Sequence, residues 1–426
     1  MTSLSAHPAA SARGAARSAS ALDRLARRLL LAGLARLQSG SVVFDDAQGR
    51  AVFGDRSSDG PHVRVSVLDP RTYRAAAFGG SLGAGESYMR GWWTCDDLTG
   101  FVQLLLRNRD ALEKIDGLWR AALAPAQRLR YRLEGNTRAG SRRNIAAHYD
   151  LSNEFFALWL DPTMCYSAGY FERDSATMEQ ASVAKMDRLC RKLGLGPDHH
   201  LLEIGCGWGG MAVHAARRYG CHVTATTISA RQAEHARRVV ADAGLGERVR
   251  IIEQDYRDLR GAFDRIVSVE MIEAVGAEHT PGYFARCASL LKPDGLMALQ
   301  AITIRDQYYR RAARTRDWLK TYIFPGSCLP SVESIAAAVR GSTDMVCVDL
   351  EDITPHYART LQLWRERFFE RIDEVRALGF DETFIRMWEY YLCHCEGAFR
   401  ERHVADIQMV LARPAFRGEI NREPRP

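Results

Sequence analysis

Eight consecutive residues, Glu203-Ile204-Gly205-Cys206-Gly207-Trp208-Gly209-Gly210, have the types and spacing of a ligand-binding turn. The apolar pair Leu201-Leu202 leads into an acidic residue. Gly205, Gly207 and Gly209 then alternate with other residues before a helical pattern starts at Met211. Glycine has no Cβ and tolerates positive φ, so the backbone of such a turn can pass close to a ligand. A dinucleotide fingerprint would space its glycines G-x-G-x-x-G, and a phosphate loop would need Gly-Lys-Ser/Thr; neither pattern is present. Taken alone, the turn is also compatible with an ordinary glycine-rich strand–helix connection. Downstream, Thr227-Ile228-Ser229 and Gln232 join the end of a second strand to the next helix, with hydroxyl and amide groups that can hydrogen-bond a ribose. Asp255-Tyr256-Arg257 follow a third strand, where side chains can flank an adenine ring. In isolation these are a polar helix cap and a loop. In series after the glycine turn they read as cofactor contacts.

The elements that must position these residues alternate. A helix is predicted over 178–193, ahead of the glycine strand, and further strands over 222–228, 249–254, 264–269, 295–303, 344–350 and 405–412. Helical patterns lie between most of them, which implies a mainly parallel sheet covered on both faces. Ligands of such sheets sit at the carboxyl ends of the strands, where the glycine turn lies. Before this region, residues 1–20 read as a disordered tail, and Leu22, Leu25, Leu29, Leu30, Leu34 and Leu37 give helical spacing from Ala21 to Gln38. Residues 41–78 alternate as strands, 79–91 are glycine-rich, and helical patterns run from Leu98 to Leu123. The expected division is a small α+β domain over 21–125, a basic linker over 126–143, an α/β domain over 144–412 and a tail over 413–426.

Composition is that of an ordinary globular protein, with 46% hydrophobic and 26% charged residues in 426. No apolar run approaches the ~18–20 residues that span a bilayer. Ten cysteines at irregular spacing, without a C-x-x-C pair, indicate neither a disulfide framework nor a metal site, and a reduced, cytoplasmic protein is expected. The net charge of +6 is concentrated. Residues 1–40 carry six arginines against Asp23, and residues 120–143 carry seven arginines against Glu134, so the rest of the chain is acidic. Two basic segments on an acidic protein suggest an anionic surface as partner. Nucleic acid is disfavoured, because aromatic residues are not interleaved with the basic ones. The helix at Ala21–Gln38 fits equally a headgroup-lying helix and one docked within a small domain.

Glu203-x-Gly205-x-Gly207-x-Gly209 resembles the first motif of class I S-adenosylmethionine methyltransferases. His148-Tyr149-Asp150-Leu151-Ser152-Asn153, Tyr166-Ser167-Ala168-Gly169-Tyr170-Phe171, Gln254-Asp255-Tyr256-Arg257-Asp258-Leu259, Tyr322-Ile323-Phe324-Pro325-Gly326 and the run from Tyr390 to Arg400 extend the resemblance to the cyclopropane-fatty-acyl-phospholipid synthase family. It covers roughly residues 145–412, and the preceding domain is similar to the N-terminal domain of longer bacterial members. The resemblance implies an α/β fold of the class I methyltransferase type (Rossmann-like, with a mainly parallel seven-stranded sheet) and a smaller N-terminal α+β domain. It implies S-adenosylmethionine as cofactor, held by Tyr166, Ser167, Glu203, Gly205, Cys206, Gly207, Trp208, Gly209, Thr227, Ile228, Ser229, Gln232, Asp255, Tyr256 and Arg257. The reaction it implies is transfer of a methylene carbon to the cis double bond of an unsaturated phospholipid acyl chain.

An alkene is a weak nucleophile attacking a strong electrophile, so alignment in a dry pocket is the enzyme's main task. The resulting carbocation must be shielded and lose a proton. Family members hold a bicarbonate ion as that base, which carries over to Glu273, to Tyr357, and to the fifth strand at Gln300 and Ile302. Two positions depart from the family: Ala168 stands where a cysteine is usual, and Gln300 where a histidine is usual. Gln300 can hydrogen-bond an anion through its amide, whereas the Ala168 side chain cannot. Proton loss without ring closure would give a methylene- or methyl-branched chain instead. Cys395 matches the cysteine assigned to the family's active site, although a cysteine on a C-terminal helix is commonly a packing residue. Glu273 is equally a carboxylate that satisfies amides at a helix N-terminus. The family reading places the protein on the inner face of the membrane, where a homodimer would combine two weak attachment sites. A carrier-bound acyl chain or a small amine as acceptor, and a non-catalytic membrane-binding homologue, are the competing readings.

Overall fold

The computed structural model describes residues 18–112 and 151–421. The arginine-rich stretch 120–143, most of residues 1–20 and the His148-Tyr149-Asp150 part of one motif lie outside the described residues. The chain divides into two compact units.

The first unit contains a four-stranded sheet in the order β2-β1-β3-β4, formed by β1 (Ser41–Asp46), β2 (Gly49–Gly54), β3 (His62–Val67) and β4 (Trp93–Cys95). Val63 and Val65 of β3 alternate inward with period two. Helix α1 (Ala21–Leu34) starts at a capping box, Ser20 and Asp23 bonding reciprocally. Its buried residues are Asp23, Ala26, Gly33 and Leu34, whereas Leu22 and Leu25 are about half exposed. The leucine stripe is therefore only partly the docking face. Residues 71–78, expected among the strands, and most of the glycine-rich stretch 79–91 form α2 (Arg71–Met89), which is kinked at Gly80. Gly85 explains one of its glycines: a Cβ there would lie 2.3 Å from the Trp318 ring. Helix α3 (Leu98–Arg107) and a helix from far along the chain, Glu382–Arg400, complete the unit, together with residues 317–319. The division therefore departs from an uninterrupted domain over 144–412, because residues 317–319 and 379–401 belong to the first unit. Tyr88 donates to Glu389 at 2.6 Å, and Arg386 donates to the Tyr88 and Trp93 carbonyls.

The second unit is built on a seven-stranded sheet in the order β10-β11-β9-β8-β5-β6-β7. Its strands are β5 (His200–Ile204), β6 (His222–Thr227), β7 (Val249–Glu253), β8 (Phe263–Val269), β9 (Leu291–Ile304), β10 (Val346–Asp352) and β11 (Val404–Ala412). Only β11 runs against its neighbours. Strand order reverses beside β5, the place where open sheets of this kind form a ligand crevice. Alternation within β5 sends Leu201 to one face and Leu202 and Ile204 to the other. The Leu201 face packs against α5 (Met178–Lys192), α6 (Gly210–Tyr219) and α7 (Ala230–Asp242), and the opposite face against α8 (Thr280–Leu290) and α9 (Val332–Ser342). Helices α4 (Asn153–Trp159) and α10 (Thr354–Glu370) meet through aromatic rings, Trp159 on Trp364 and Phe155 on Phe368. Residues 413–421, expected as a tail, include Phe416 and Ile420 packed on the Leu201-side core.

Candidate active site

A cleft of about 190 Å³ opens at the carboxyl ends of β5, β6, β7 and β8. The glycine turn forms its floor. Gly205 and Cys206 donate their backbone N–H groups to the Thr226 carbonyl, which ties the turn to β6. Gly205 has φ +87°, and a Cβ there would come 2.7 Å from Met271 Cγ, so both conformation and space require glycine. Gly207 has φ +52°, and a Cβ there would meet nothing within 4 Å. The residue lines the cleft, so that open space is where a ligand can approach the backbone. Gly209, N-cap of α6, lies instead against Ala236 of α7.

Of the expected cofactor residues, the cleft brings together Tyr166, Ser167, Glu203, Gly205, Cys206, Gly207, Trp208, Thr227, Ile228, Gln232, Asp255, Tyr256 and Arg257. Gly209 and Ser229 are not on its wall. Ser229 caps α7 by accepting from Gln232 N–H, and Thr227 donates to Gln232 Oε1 at 2.8 Å, fixing the amide at the strand end. Asp255 forms a 2.6 Å ion pair with Arg257, whose guanidinium lies 5.7 Å from the Tyr256 ring centroid. The Trp208 indole donates to Asn153 Oδ1, and Tyr166 packs among Phe156, Trp159 and Trp364. Glu203 is buried, and burial pushes its pKa up to about 8. A pocket of apolar and aromatic walls, a glycine floor and convergent polar groups suits a nucleoside with a charged amino-acid tail. The residues present therefore fit S-adenosylmethionine.

The expected catalytic residues lie elsewhere, none on the cleft wall itself. Glu273 Oε1 accepts the Ile302 N–H at 2.5 Å, and its other oxygen is buried without a hydrogen-bond partner. Burial and the Glu270 charge push the Glu273 pKa up to about 8. Gln300 and Tyr357 converge on a residue that the sequence analysis passed over, Glu270. Gln300 Nε2 donates to Glu270 Oε1 at 2.8 Å and Tyr357 Oη to Glu270 Oε2 at 2.7 Å. The Ala168 N–H donates to Oε1 at 2.9 Å. Behind Gln300 stand Asp406, whose Oδ2 accepts from it at 3.1 Å, and Gln408, which donates to its Oε1. Lys185, fully buried, donates to Ser167 Oγ at 2.6 Å and to Cys165 Sγ at 3.0 Å. Burial disfavours its charged form, but the hydrogen bond to Cys165 and the nearby Glu270 carboxylate outweigh that and raise its pKa.

Cys395 is not among the residues that line this cleft. It belongs to the Glu382–Arg400 helix of the first unit, where burial pushes its thiol pKa far up, away from the thiolate form. Glu270 was legible in principle, since it is an acidic residue directly beyond a parallel strand, three positions before Glu273. Lys185 and Asp406 carried no comparable signal; a lysine on an amphipathic helix and an aspartate in a strand acquire meaning only when the fold buries them.

Comparison with known proteins agrees with this geometry. Residues 136–409 match the family model of mycolic acid cyclopropane synthetase. The chain is 43% identical to the tuberculostearic acid methyltransferase of Mycobacterium tuberculosis, over 78% of this chain and 79% of that protein. It is 38% identical to the cyclopropane-fatty-acyl-phospholipid synthase of Escherichia coli, over 87% of this chain and 92% of that one. Among solved structures, a mycolic acid cyclopropane synthase complexed with SAH and CTAB superposes with a TM-score of 0.60 at 34% identity, over 64% of this chain and 98% of that one. The chain belongs to the mycolic acid cyclopropane synthetase family and is an S-adenosylmethionine-dependent methyltransferase.

Proposed function

We propose that this protein modifies unsaturated phospholipid acyl chains at their cis double bond, forming a cyclopropane. The observation that carries the reading is the cleft: a cofactor-type glycine floor and a hydrogen-bonded carboxylate, Glu270, on the wall of one cavity. S-adenosylmethionine supplies an electrophilic methyl carbon when bound. What the chain itself contributes is alignment and exclusion of water. Tyr166 and Trp208 make an apolar side of the cleft, backed by the rings of Phe156, Trp159 and Trp364, and such walls keep water from a cation formed on the acyl chain.

A branched product is the second reading, favoured by the 43% relative, named as a tuberculostearic acid methyltransferase, and by Ala168 and Gln300 at positions that depart from the synthase pattern. Lipids from a bacterial host expressing the chain decide between them. Upfield cyclopropane methylene protons in their NMR spectrum support the first reading; exomethylene or methyl-branch signals without them support the second. Unchanged acyl chains would refute both.

Membrane association is part of the same proposal. No helix among the described residues is long and apolar enough to cross a bilayer. Exposed Leu22 and Leu25 stand beside exposed Arg24 and Arg28 on α1, a pairing that suits the headgroup region of an anionic bilayer.

A further inference from the structure

Glu270 is held as a ligand would be. Its oxygens accept from the Ala168 N–H at 2.9 Å, Gln300 Nε2 at 2.8 Å and Tyr357 Oη at 2.7 Å. These donors come from the loop before the glycine turn, from β9 and from α10. Ala168, Gln300 and Tyr357 are also positions at which the family resemblance places an exogenous bicarbonate or a departure from its usual ligands. The Ile302 amide, a further expected ligand, donates to Glu273 Oε1. A second anion would meet donors already taken and stand against the Glu270 carboxylate that holds them, where like charges repel. The residues present therefore do not fit bicarbonate.

We propose that Glu270 is the general base of this enzyme, a carboxylate of the chain in the place of a borrowed anion. The inference rests on the acyl-chain reaction proposed above. Four features support it. Glu270 lines the cofactor cleft, so it reaches the reacting atoms' side of the network. Its backbone is held at φ +48°, an uncommon conformation for a side-chain-bearing residue, and Met164 on the same wall shares it at φ +53°. Lys185 lies within electrostatic reach to balance one carboxylate. Burial raises the Glu270 pKa against the pull of Ala168 N–H, Lys185, Tyr357 and Gln300, giving a stronger proton acceptor, while Asp406 and Glu273 are pushed up as well, toward their protonated forms.

In the step assigned to it, a C–H bond of the newly added methyl group breaks. Its electron pair forms the ring-closing bond to the cationic carbon of the acyl chain. The proton passes to a Glu270 oxygen and is later released to water. No oxidant or reductant is needed.

The test compares wild type, Glu270→Gln and Glu270→Gly in buffer stripped of carbon dioxide, with and without added bicarbonate. Turnover is read on vesicles of unsaturated phospholipid, S-adenosylmethionine affinity by calorimetry, and anion binding from the line width of ¹³C-bicarbonate in NMR. Wild type is expected to turn over equally with and without bicarbonate and to leave its line unbroadened. Glu270→Gln should lose about 100-fold or more in turnover, the scale of a missing general base, while cofactor affinity stays within about twofold, as expected for a fold left intact. Glu270→Gly, which also relieves the positive φ, should broaden the bicarbonate line and recover turnover when the ion is added. A wild type that needs or binds bicarbonate, or a Glu270→Gln variant of full activity, overturns the proposal. Should wild type leave every unsaturated phospholipid unchanged, the acyl-chain function fails, and the NMR titration still decides what fills the anion position.

Discussion

Glu273 keeps one oxygen on the Ile302 amide and the other buried without a hydrogen-bond partner, with a pKa pushed up to about 8. In the unfolded chain the same group titrates near its ordinary value of 4.5. Between these two values the folded protein holds a proton that the unfolded chain has released, so this group's contribution lowers stability as pH rises from about 5 to 8. Glu273→Gln keeps an acceptor for Ile302 and removes the titration. Thermal unfolding across this range should therefore show the variant gaining on wild type as pH rises, by on the order of 1 kcal/mol or more at the upper end. A constant difference would place the Glu273 pKa near its solution value. At this scale the sequence was only half legible. Glu203, Glu273, Gln300 and Tyr357 stood out by their place after strands or by family pattern. That Gln300 and Tyr357 serve Glu270 depends on contacts spanning 30 and 87 residues. No local spacing reveals such pairs.

The glycine turn joins β5 to α6 and was the most legible element, because its residues answer to backbone geometry alone. The expected strands of the second unit lie where periodicity put them, and the reversed β11 lies between β9 and β10. Helix α2 was hidden because glycine disfavours helix in isolation. Tertiary packing overrides that preference where Trp318 needs the room at Gly85. The turn itself yields a prediction. Gly207→Val would put methyl groups into the open space of the cleft, whereas Gly205→Val would also strike Met271. Calorimetry on Gly207→Val should show S-adenosylmethionine affinity reduced at least about tenfold, equivalent to about 1.4 kcal/mol, with the melting transition still cooperative. Wild-type affinity in that variant would remove the glycine turn from the cofactor site.

A cofactor cleft with apolar walls and an exposed leucine pair on α1 suit the proposed work on lipid at a membrane surface. Replacing Leu22 and Leu25 together by Asp should weaken sedimentation with anionic vesicles, and wild-type binding should fall steeply with salt, since each basic residue near such a surface contributes about 1 kcal/mol. Salt-insensitive binding would point to apolar insertion alone. The proposed reaction turns on where the transferred carbon goes. Purified protein incubated with S-adenosylmethionine deuterated in its methyl group and vesicles of cis-unsaturated phospholipid tests this directly by mass spectrometry of the acyl chains. The expected result is a gain of one methylene carrying two deuterium atoms, on unsaturated chains only. Bound cofactor with unchanged acyl chains, or deuterium appearing on saturated chains, would contradict it.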